Sequence, residues 1–169
     1  MKSILFLLKA LLISNIVLSQ TLNEQYGKDV QSIDAIIDAY YDVISGSSDD
    51  PWQFERDKYL HSERAVITRL DDNGKAEVHS LEAEYIPMGL NSRENFYEHE
   101  LKRIISKFGN MAQVWSAFEI RTKPDIPTEI RGLNSIQLHY ENGRWFIDSW
   151  TAQMESEYNT LVQEFLNEH

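Results

Sequence analysis

Apolar and polar residues alternate along the chain with several periods, and each period predicts an element of secondary structure. Between residues 29 and 45, apolar side chains recur every three or four positions, which is typical of a helix packed on a core. Asp50 as a cap and Pro51 in the first turn predict a short second helix that ends near Leu60. Three acids on the opposite face of the first helix predict a solvated surface rather than a metal site: Asp34, Asp38 and Asp42.

The middle of the chain predicts a hairpin followed by a third helix. Residues 65–70 and 75–86 read as two strands, and the Asn-Gly pair at 73–74 indicates a tight turn because both residues tolerate positive φ. Residues 91–108 then carry an apolar stripe of helical spacing. Gly109 would close this helix.

The last third of the chain predicts three strands and a final helix. The strands are residues 111–121, 131–140 and 144–152, and a second Asn-Gly turn, at 142–143, joins the last two. Residues 154–167 place apolar side chains on one face again, which predicts a C-terminal helix.

The start of the chain has the character of a secretory signal. A positive start, an apolar run over residues 4–18 and a compact ending at Ser19 predict cleavage before Gln20 and export to the periplasm or beyond. Lys9 divides the apolar run, which leaves a stretch too short for a permanent membrane anchor. The predicted organisation is a signal at 1–19, a polar lead-in at 20–28, one domain at 29–153 and a helical extension at 154–169.

Composition narrows the classes of function. The chain has 169 residues, a formal net charge of −11 and no cysteine. Such a length suits one domain with one core, and the lack of cysteine excludes disulfides and thiolate chemistry. An acidic surface repels phosphates, so we expect no nucleic-acid partner and no stable membrane insertion after signal removal.

Three stretches resemble the nuclear transport factor 2-like superfamily, which includes ketosteroid isomerases, SnoaL-like cyclases and dehydratases. They are residues 39–42, residues 110–119, and residues 131–138 running into 143–147, and the last strands are the most specific. The likeness covers about residues 29–152 and points to an exported bacterial subgroup without an established activity. It implies an α+β fold in which a curved antiparallel sheet wraps on three helices as a cone or half-barrel. It also implies a pocket in the concave mouth and homodimers through the sheet.

In such a cone one face of each strand lines the pocket, and alternation leaves the choice of face open. On residues 114–121 one set is Val114, Ser116, Phe118 and Ile120, and the other is Trp115, Ala117, Glu119 and Arg121. On the next strand Asn134, Ile136 and Leu138 alternate with Ser135, Gln137 and His139.

If the second sets face inward, their polar side chains would converge with the first-helix tyrosines and could move protons or hold an anionic ligand. If they face outward, they form a polar sheet surface or a dimer interface. The candidate pocket residues are Tyr40, Tyr41, Trp52, Phe54, Trp115, Glu119, Arg121, Gln137, His139 and Trp145.

The chemistry implied by the resemblance is incomplete here. Isomerases of the superfamily carry a carboxylate base on the first hairpin, but residues 66–70 contain no acid. Asp148 offers a substitute, although it alternates against Trp145 and Ile147. His61 is expected to cap a helix or pack in the core. No histidine pair has metal-ligand spacing and no glycine-rich phosphate loop occurs, so we expect no metal and no cofactor.

Three functional hypotheses follow. The first is a binding domain that holds a small apolar or amphipathic molecule in the cone. The second is an isomerase, cyclase or dehydratase in which Glu119, His139 or Asp148 moves a proton. The third is a homodimeric interaction module built from the sheet and the last helix. The sequence leaves open whether the protein catalyses a reaction.

Overall fold

The fold is seen in a computed structural model that describes residues 21–50, 52–91 and 94–166. A helical lead-in at 21–26 continues into a 3₁₀ turn, Gly27–Val30. Helix α1 spans Ile33–Ile44, α2 spans Phe54–Leu60, and α3 spans Ile86–Asn91 after a π-helical turn at Leu81–Tyr85. The strands are β1 (His61–Leu70), β2 (Ala76–Ser80), β3 (Tyr97–Phe108), β4 (Met111–Arg121), β5 (Ile130–Glu141) and β6 (Arg144–Met154).

The six strands form one sheet in the order β2-β1-β6-β5-β4-β3. All neighbours run antiparallel except β1 and β6, which pair in parallel from Val66 beside Ser149 to Leu70 beside Gln153. The sheet is therefore mixed, and the expectation of a purely antiparallel sheet is wrong. The reason is topological: most of the chain lies between β1 and β6, and a long connection lets two strands run in the same direction.

Several predicted elements are confirmed. Helix α1 occupies most of residues 29–45, and the Ser32 hydroxyl caps it by accepting a 3.0 Å hydrogen bond from the Ala35 amide. Strand β4 has the predicted bounds. The second Asn-Gly turn has φ of 51° at Asn142 and 84° at Gly143, the left-handed conformation that a tight hairpin requires.

The predicted helix over residues 91–108 is wrong, because residues 97–108 form β3. This strand pairs with β4 along its whole length, and its register shifts between Glu100 and Lys102. The bulge displaces Leu101, so the apolar residues lose the two-residue period that would have identified a strand. Gly109 has φ of +57° in the hairpin between β3 and β4 rather than at a helix end.

Two further boundaries differ from the prediction. The return strand of the first hairpin ends at Ser80 instead of 86, where the Ser80 amide donates to the Glu84 carboxylate at 2.9 Å and a helical turn begins. Helix α2 begins at Phe54 with Gln53 at its N-cap. Asp50 instead accepts hydrogen bonds from the amide and hydroxyl of Ser47 in the preceding turn.

The predicted C-terminal helix is wrong. Strand β6 continues to Met154, and the C-terminal segment, residues 155–166, contains a bridge between Ser156 and Asn159 and a 3₁₀ turn at Gln163–Phe165. Glu155 holds the segment in place, because its carboxylate accepts from the Leu161 amide at 2.7 Å. Its other oxygen accepts from Arg131, also at 2.7 Å.

The sheet has an inner face, which packs on α1, and an outer face, which carries the C-terminal segment. Along β6, Gln137 pairs with Ser149 but Leu138 pairs with Ile147, so Asp148 is an extra residue. This bulge brings both Ile147 and Trp150 to the inner face. The core there contains Ile36, Ile37, Val43, Ile67, Val114, Ile136 and Ile147, each at most 1% exposed.

The acid row on α1 is solvated, as predicted, and also paired. Arg103 from β3 reaches Asp38, and it contacts Asp34 at 3.1 Å. Arg56 from α2 contacts Asp42. Within the ranges that the structure describes, no group of acids and histidines has the arrangement of a metal site. The row therefore attaches α1 to its neighbours.

The predicted signal at 1–19 and Pro51 both lie outside the described residues. So does residue 167, the end of the predicted C-terminal helix. Across residues 21–50, 52–91 and 94–166, no helix is both long and apolar enough to cross a membrane.

Gly132 on β5 allows a close approach in the sheet. A Cβ atom there would lie 2.6 Å from the Gln153 carbonyl oxygen and 2.6 Å from Cζ of Phe118. We therefore expect Gly132→Ala to lower the free energy of unfolding by about 1–3 kcal/mol, measured by urea denaturation. Ser135→Ala on the outer face of the same strand is the control, with an expected change of about 0.5 kcal/mol or less. Equal stability of the two variants would contradict this packing.

Candidate functional site

A two-part cavity lies between the inner face of the sheet and the helices. The inner compartment has a volume of about 190 Å³, and the outer compartment, of about 450 Å³, extends from it toward exposed residues such as Met88. Trp52 and His79 line the outer compartment. Residues common to both compartments are Ile44, Arg69, Tyr85, Phe96, Ile120 and Met154. The inner compartment is completed by Tyr40, Glu98, Phe118, Asn134, Trp150 and Ala152.

The end of α1 positions the start of β3 beside this cavity. Gly46 and Phe96 exchange two backbone hydrogen bonds, of 2.7 and 2.9 Å. The Ser45 hydroxyl donates to the Glu98 carbonyl at 2.8 Å and accepts from the Glu98 amide at 3.0 Å. These bonds hold Phe96 and Glu98 at the wall of the inner compartment.

Glu98 contributes a carboxyl group to the inner compartment. Burial raises its pKa to about 8, against smaller lowering effects of the nearby Asn134 side chain and the Arg69 charge. Burial also raises the pKa of both cavity tyrosines, Tyr40 and Tyr85, and the proximity of Glu98 adds to this effect. At neutral pH the compartment therefore presents a protonated carboxyl and two phenol hydroxyls, which can all donate hydrogen bonds.

A polar network lies behind the cavity. The Tyr41 hydroxyl is 2.6 Å from the Ser116 hydroxyl, which also donates to Glu100. Asn134 Nδ2 donates to the Tyr41 oxygen at 3.3 Å, and Arg103 contacts the other oxygen of Glu100. Tyr41 is thereby fixed, and its pKa is raised by burial.

A second buried pair lies on the other side of Tyr40. His61 Nδ1 donates to the Asp57 carbonyl oxygen at 2.8 Å and lies 3.3 Å from the Asp57 carboxylate. The His61 and Tyr40 rings meet edge to face with centroids 6.4 Å apart. His61 is the C-cap of α2 and is buried, which agrees with the expectation that it caps a helix or packs in the core.

Four buried polar atoms around the cavity have no hydrogen-bond partner in the part of the chain that the structure describes. They are Asn134 Oδ1, Trp150 Nε1, Trp52 Nε1 and His79 Nε2. A buried acceptor or donor without a partner costs about 1–3 kcal/mol. A molecule in the cavity with polar atoms of its own can therefore gain affinity by pairing them.

The structure brings three of the predicted pocket residues to the site. Tyr40 lines the inner compartment, Trp52 lines the outer one, and Tyr41 lies directly behind them. Phe54 lines neither compartment and is partly exposed on α2. Trp145 is buried against Tyr140 near the opposite end of the sheet.

The other five predicted pocket residues project from the outer face and do not meet Tyr40 or Tyr41. On β4 the inner set is the one that contains Val114, Ser116 and Phe118, because these side chains pack on the core or line the cavity. The strand alternation then directs the remaining candidates away from the cavity. They are Trp115, Glu119, Arg121, Gln137 and His139.

These outer-face side chains have partners of their own. Glu119 pairs with Arg121 and accepts from the Thr128 hydroxyl. His139 Nδ1 lies 2.8 Å from the Asp148 carboxylate. The hypothesis that Glu119, His139 or Asp148 moves a proton beside Tyr40 is therefore excluded by geometry.

Sequence reasoning missed the residues that define the cavity chemistry. Glu98 was hidden by the helical interpretation of residues 91–108. Arg69 lies on the first hairpin, where the resemblance to isomerases implied a carboxylate and gave no role to an arginine. The sequence did contain a local signal for Glu98. Phe96, Glu98 and Glu100 follow one another at every second position ahead of the bulge, which is the spacing of side chains on one face of a strand.

Comparison with known proteins identifies the fold. No protein-family model matches the sequence. No curated protein matches it either. Solved structures do match, so the likeness is one of three-dimensional structure.

Three solved structures illustrate this likeness. A protein of unknown function with a cystatin-like fold from Nostoc punctiforme is 10% identical, with a TM-score of 0.59 over 74% of this chain and 90% of that chain. A nuclear transport factor 2-like protein of unknown function from Shewanella baltica is 13% identical, with a TM-score of 0.54 over 72% and 90%. A putative scytalone dehydratase from Novosphingobium aromaticivorans is 13% identical, with a TM-score of 0.56 over 78% and 87%.

The chain therefore has the nuclear transport factor 2-like, or cystatin-like, cone fold, as its resemblance to that superfamily implied. Identities of 10–13% establish the fold alone. Because one fold hosts many activities, function has to be argued from the residues of the cavity.

Proposed function

We propose that the protein binds a small amphipathic molecule in the two-part cavity. The observation that carries the proposal is a concave site with aromatic walls into which a few polar groups converge. Binding sites for small molecules combine these features. The unpaired Asn134 Oδ1 and Trp150 Nε1 supply additional polar positions for a ligand to satisfy.

Filling the inner compartment should abolish binding. Ala152 is buried and lines that compartment, so Ala152→Leu places three more carbon atoms in the ligand space. We expect mass spectrometry of the purified wild-type protein to detect a co-purifying small molecule, which the variant loses. In a thermal-shift screen of small amphipathic molecules, we expect stabilisation of the wild-type protein only.

Thr151→Leu is the matched control. Thr151 is the adjacent residue on β6 and lines a different cavity, of about 450 Å³, between the outer face and the C-terminal segment. This variant should bind as the wild-type protein does. A ligand lost from Thr151→Leu and kept by Ala152→Leu would place the binding site on the outer face and overturn the proposal. A wild-type cavity that stays empty in both experiments would also overturn it.

Catalysis by proton transfer is a second candidate, and Glu98 favours it. A carboxyl with a pKa of about 8 exists in both protonation states near neutral pH, as a general acid or base requires. Tyr40 and Tyr85 could stabilise a developing oxyanion in the same compartment. Against an isomerase, the cavity residue from the first hairpin is Arg69 and not a carboxylate.

Hydrogen exchange would test this second function. With the ligand identified above and the protein in D₂O, catalysis predicts that carbon-bound hydrogen next to a ligand carbonyl exchanges at a rate that Glu98→Gln lowers by at least a hundredfold. Proton NMR measures the rate. Exchange no faster than in buffer would leave binding as the function.

Two expectations about context accompany the proposal. Export is supported by the composition of residues 1–19, and N-terminal sequencing of the protein recovered outside the cytoplasm should begin at Gln20. A homodimer through the sheet would use the outer face beyond the C-terminal segment, where Gln137 and Met111 are exposed. Light scattering would detect that dimer. The proposal involves no cofactor.

A further inference from the structure

Arg69 differs from the ion-paired arginines of this chain because it lies at the cavity. It lines both compartments of the cavity. In the described part of the chain, four other arginines form ion pairs with carboxylates: Arg56, Arg103, Arg121 and Arg131. Among the described residues, Arg69 forms no ion pair and no side-chain hydrogen bond, so its donors remain available at the site.

Three carboxyl groups near Arg69 in the fold leave it available. Glu77 stands directly opposite on β2, and Glu94 lines the outer compartment, but neither forms an ion pair with it. Glu98 acts on Arg69 through its charge only when ionised, and its raised pKa of about 8 keeps it mostly protonated at pH 7. Arg69 is a solvent-exposed residue, and its guanidinium gives the wall that the two compartments share a positive charge.

The inner compartment has the size of one substituted aromatic ring. Its volume is about 190 Å³, and an apolar protein cavity of roughly 150 Å³ accommodates benzene. Phe118, Ile120 and Trp150 supply apolar walls. Asn134 Oδ1 is a buried acceptor that receives no hydrogen bond from the described residues, and a hydroxyl group on the ring would satisfy it.

We propose that the cavity is selective for a small hydroxyaryl carboxylate whose ring occupies the inner compartment and whose carboxylate binds Arg69. This inference rests on the proposed function, because it names the class of molecule that the same cavity holds. The planar guanidinium matches a carboxylate with two parallel hydrogen bonds. A neutral ester of the same acid keeps the ring but loses the charge.

Isothermal titration calorimetry at pH 7 with 4-hydroxycinnamate and its methyl ester tests the inference. We expect the wild-type protein to bind the acid at least tenfold more tightly than the ester, since a charge-assisted pair contributes more than about 1.4 kcal/mol. Arg69→Gln should lose this preference. Arg64→Gln changes an exposed arginine of the same strand that lines neither compartment, so it should keep the preference.

Failure of this inference is distinguishable from failure of the proposed function. Equal binding of acid and ester, both blocked by Ala152→Leu, would overturn the selectivity for carboxylates and leave the binding function intact. A preference for the acid that survives Arg69→Gln would also overturn it. A wild-type protein that binds neither probe overturns the inference too, and co-purification and thermal shift then decide the binding function separately.

Discussion

Glutamine at position 98 should remove a loss of stability that the wild-type protein undergoes as the pH rises from 5 to 8. In the folded protein burial raises the pKa of Glu98 to about 8, whereas a glutamate in an unfolded chain titrates near 4.3. Between these values the folded state binds more protons than the unfolded state. The contribution of Glu98 to the free energy of unfolding therefore falls with rising pH and levels off above 8.

The expected size of this effect is large for one side chain. Each pKa unit corresponds to about 1.4 kcal/mol, so Glu98 should account for a fall on the order of 3 kcal/mol between pH 5 and 8. Urea denaturation at pH 5, 6.5 and 8 measures it as the difference between the wild-type protein and Glu98→Gln. The variant should be the more stable protein at pH 8, since glutamine avoids a buried charge.

Glu84→Gln is the matched control. Hydrogen bonds from the Ser80 amide and hydroxyl lower the pKa of Glu84, so this side chain is ionised in both folded and unfolded states above about pH 6. Its replacement should change stability by the same amount at pH 6.5 and 8. If Glu98→Gln behaves in that way as well, Glu98 is ionised in the folded protein and the described chemistry of the inner compartment is wrong.

Removal of the C-terminal segment should destabilise the protein and expose an apolar surface on the outer face of the sheet. A chain ending at Met154 loses the Glu155 contacts with Arg131 and with the Leu161 amide. It also loses the Phe165 ring, whose centroid lies 6.0 Å from that of Trp115. We expect the free energy of unfolding to fall by about 2–4 kcal/mol, which is comparable with the loss of one or two buried apolar side chains.

Exposure of the outer face should also make copies of the truncated protein associate with one another. Trp115 on the outer face is already 39% exposed, and Phe165 of the segment packs beside it. An apolar patch of this kind promotes contact between copies. Light scattering should therefore show more self-association of the truncated chain than of the full chain at equal concentration.

Two point variants show whether the loss of stability comes from specific contacts of the segment or only from shortening the chain. Phe165→Ala should give part of the destabilisation, because it removes the ring next to Trp115. Tyr158→Ala changes a side chain that is 83% exposed and should have almost no effect. A truncated protein that matches the full chain in stability and association would show that the segment does not protect the sheet.

The sequence by itself determined the features that depend on neighbours along the chain. The apolar stripe predicts α1, because a helix repeats every 3.6 residues whatever it packs on. The two Asn-Gly turns were identified correctly for a similar reason, since tolerance of positive φ is a local property of Asn and Gly. Both residues use it in the second turn, whereas in the first turn only Gly74 does. The resemblance to the cone fold likewise came from three stretches of sequence, residues 39–42, 110–119 and 131–138 running into 143–147.

Only the tertiary structure decided where the remaining residues lie. Residues 97–108 form a strand because β4, which follows them in the chain, pairs with them. The bulge interrupts the two-residue period of apolar side chains, so the sequence alone does not identify this strand. Which face of the sheet is the inner one is decided in the same way, by the side that α1 covers. On that face Glu98 and Arg69 lie together with Tyr40, whereas Glu119 and His139 lie on the opposite face. Pairing, bulges and burial are set by distant residues, so the cavity and the raised pKa of Glu98 emerge only when the chain has folded.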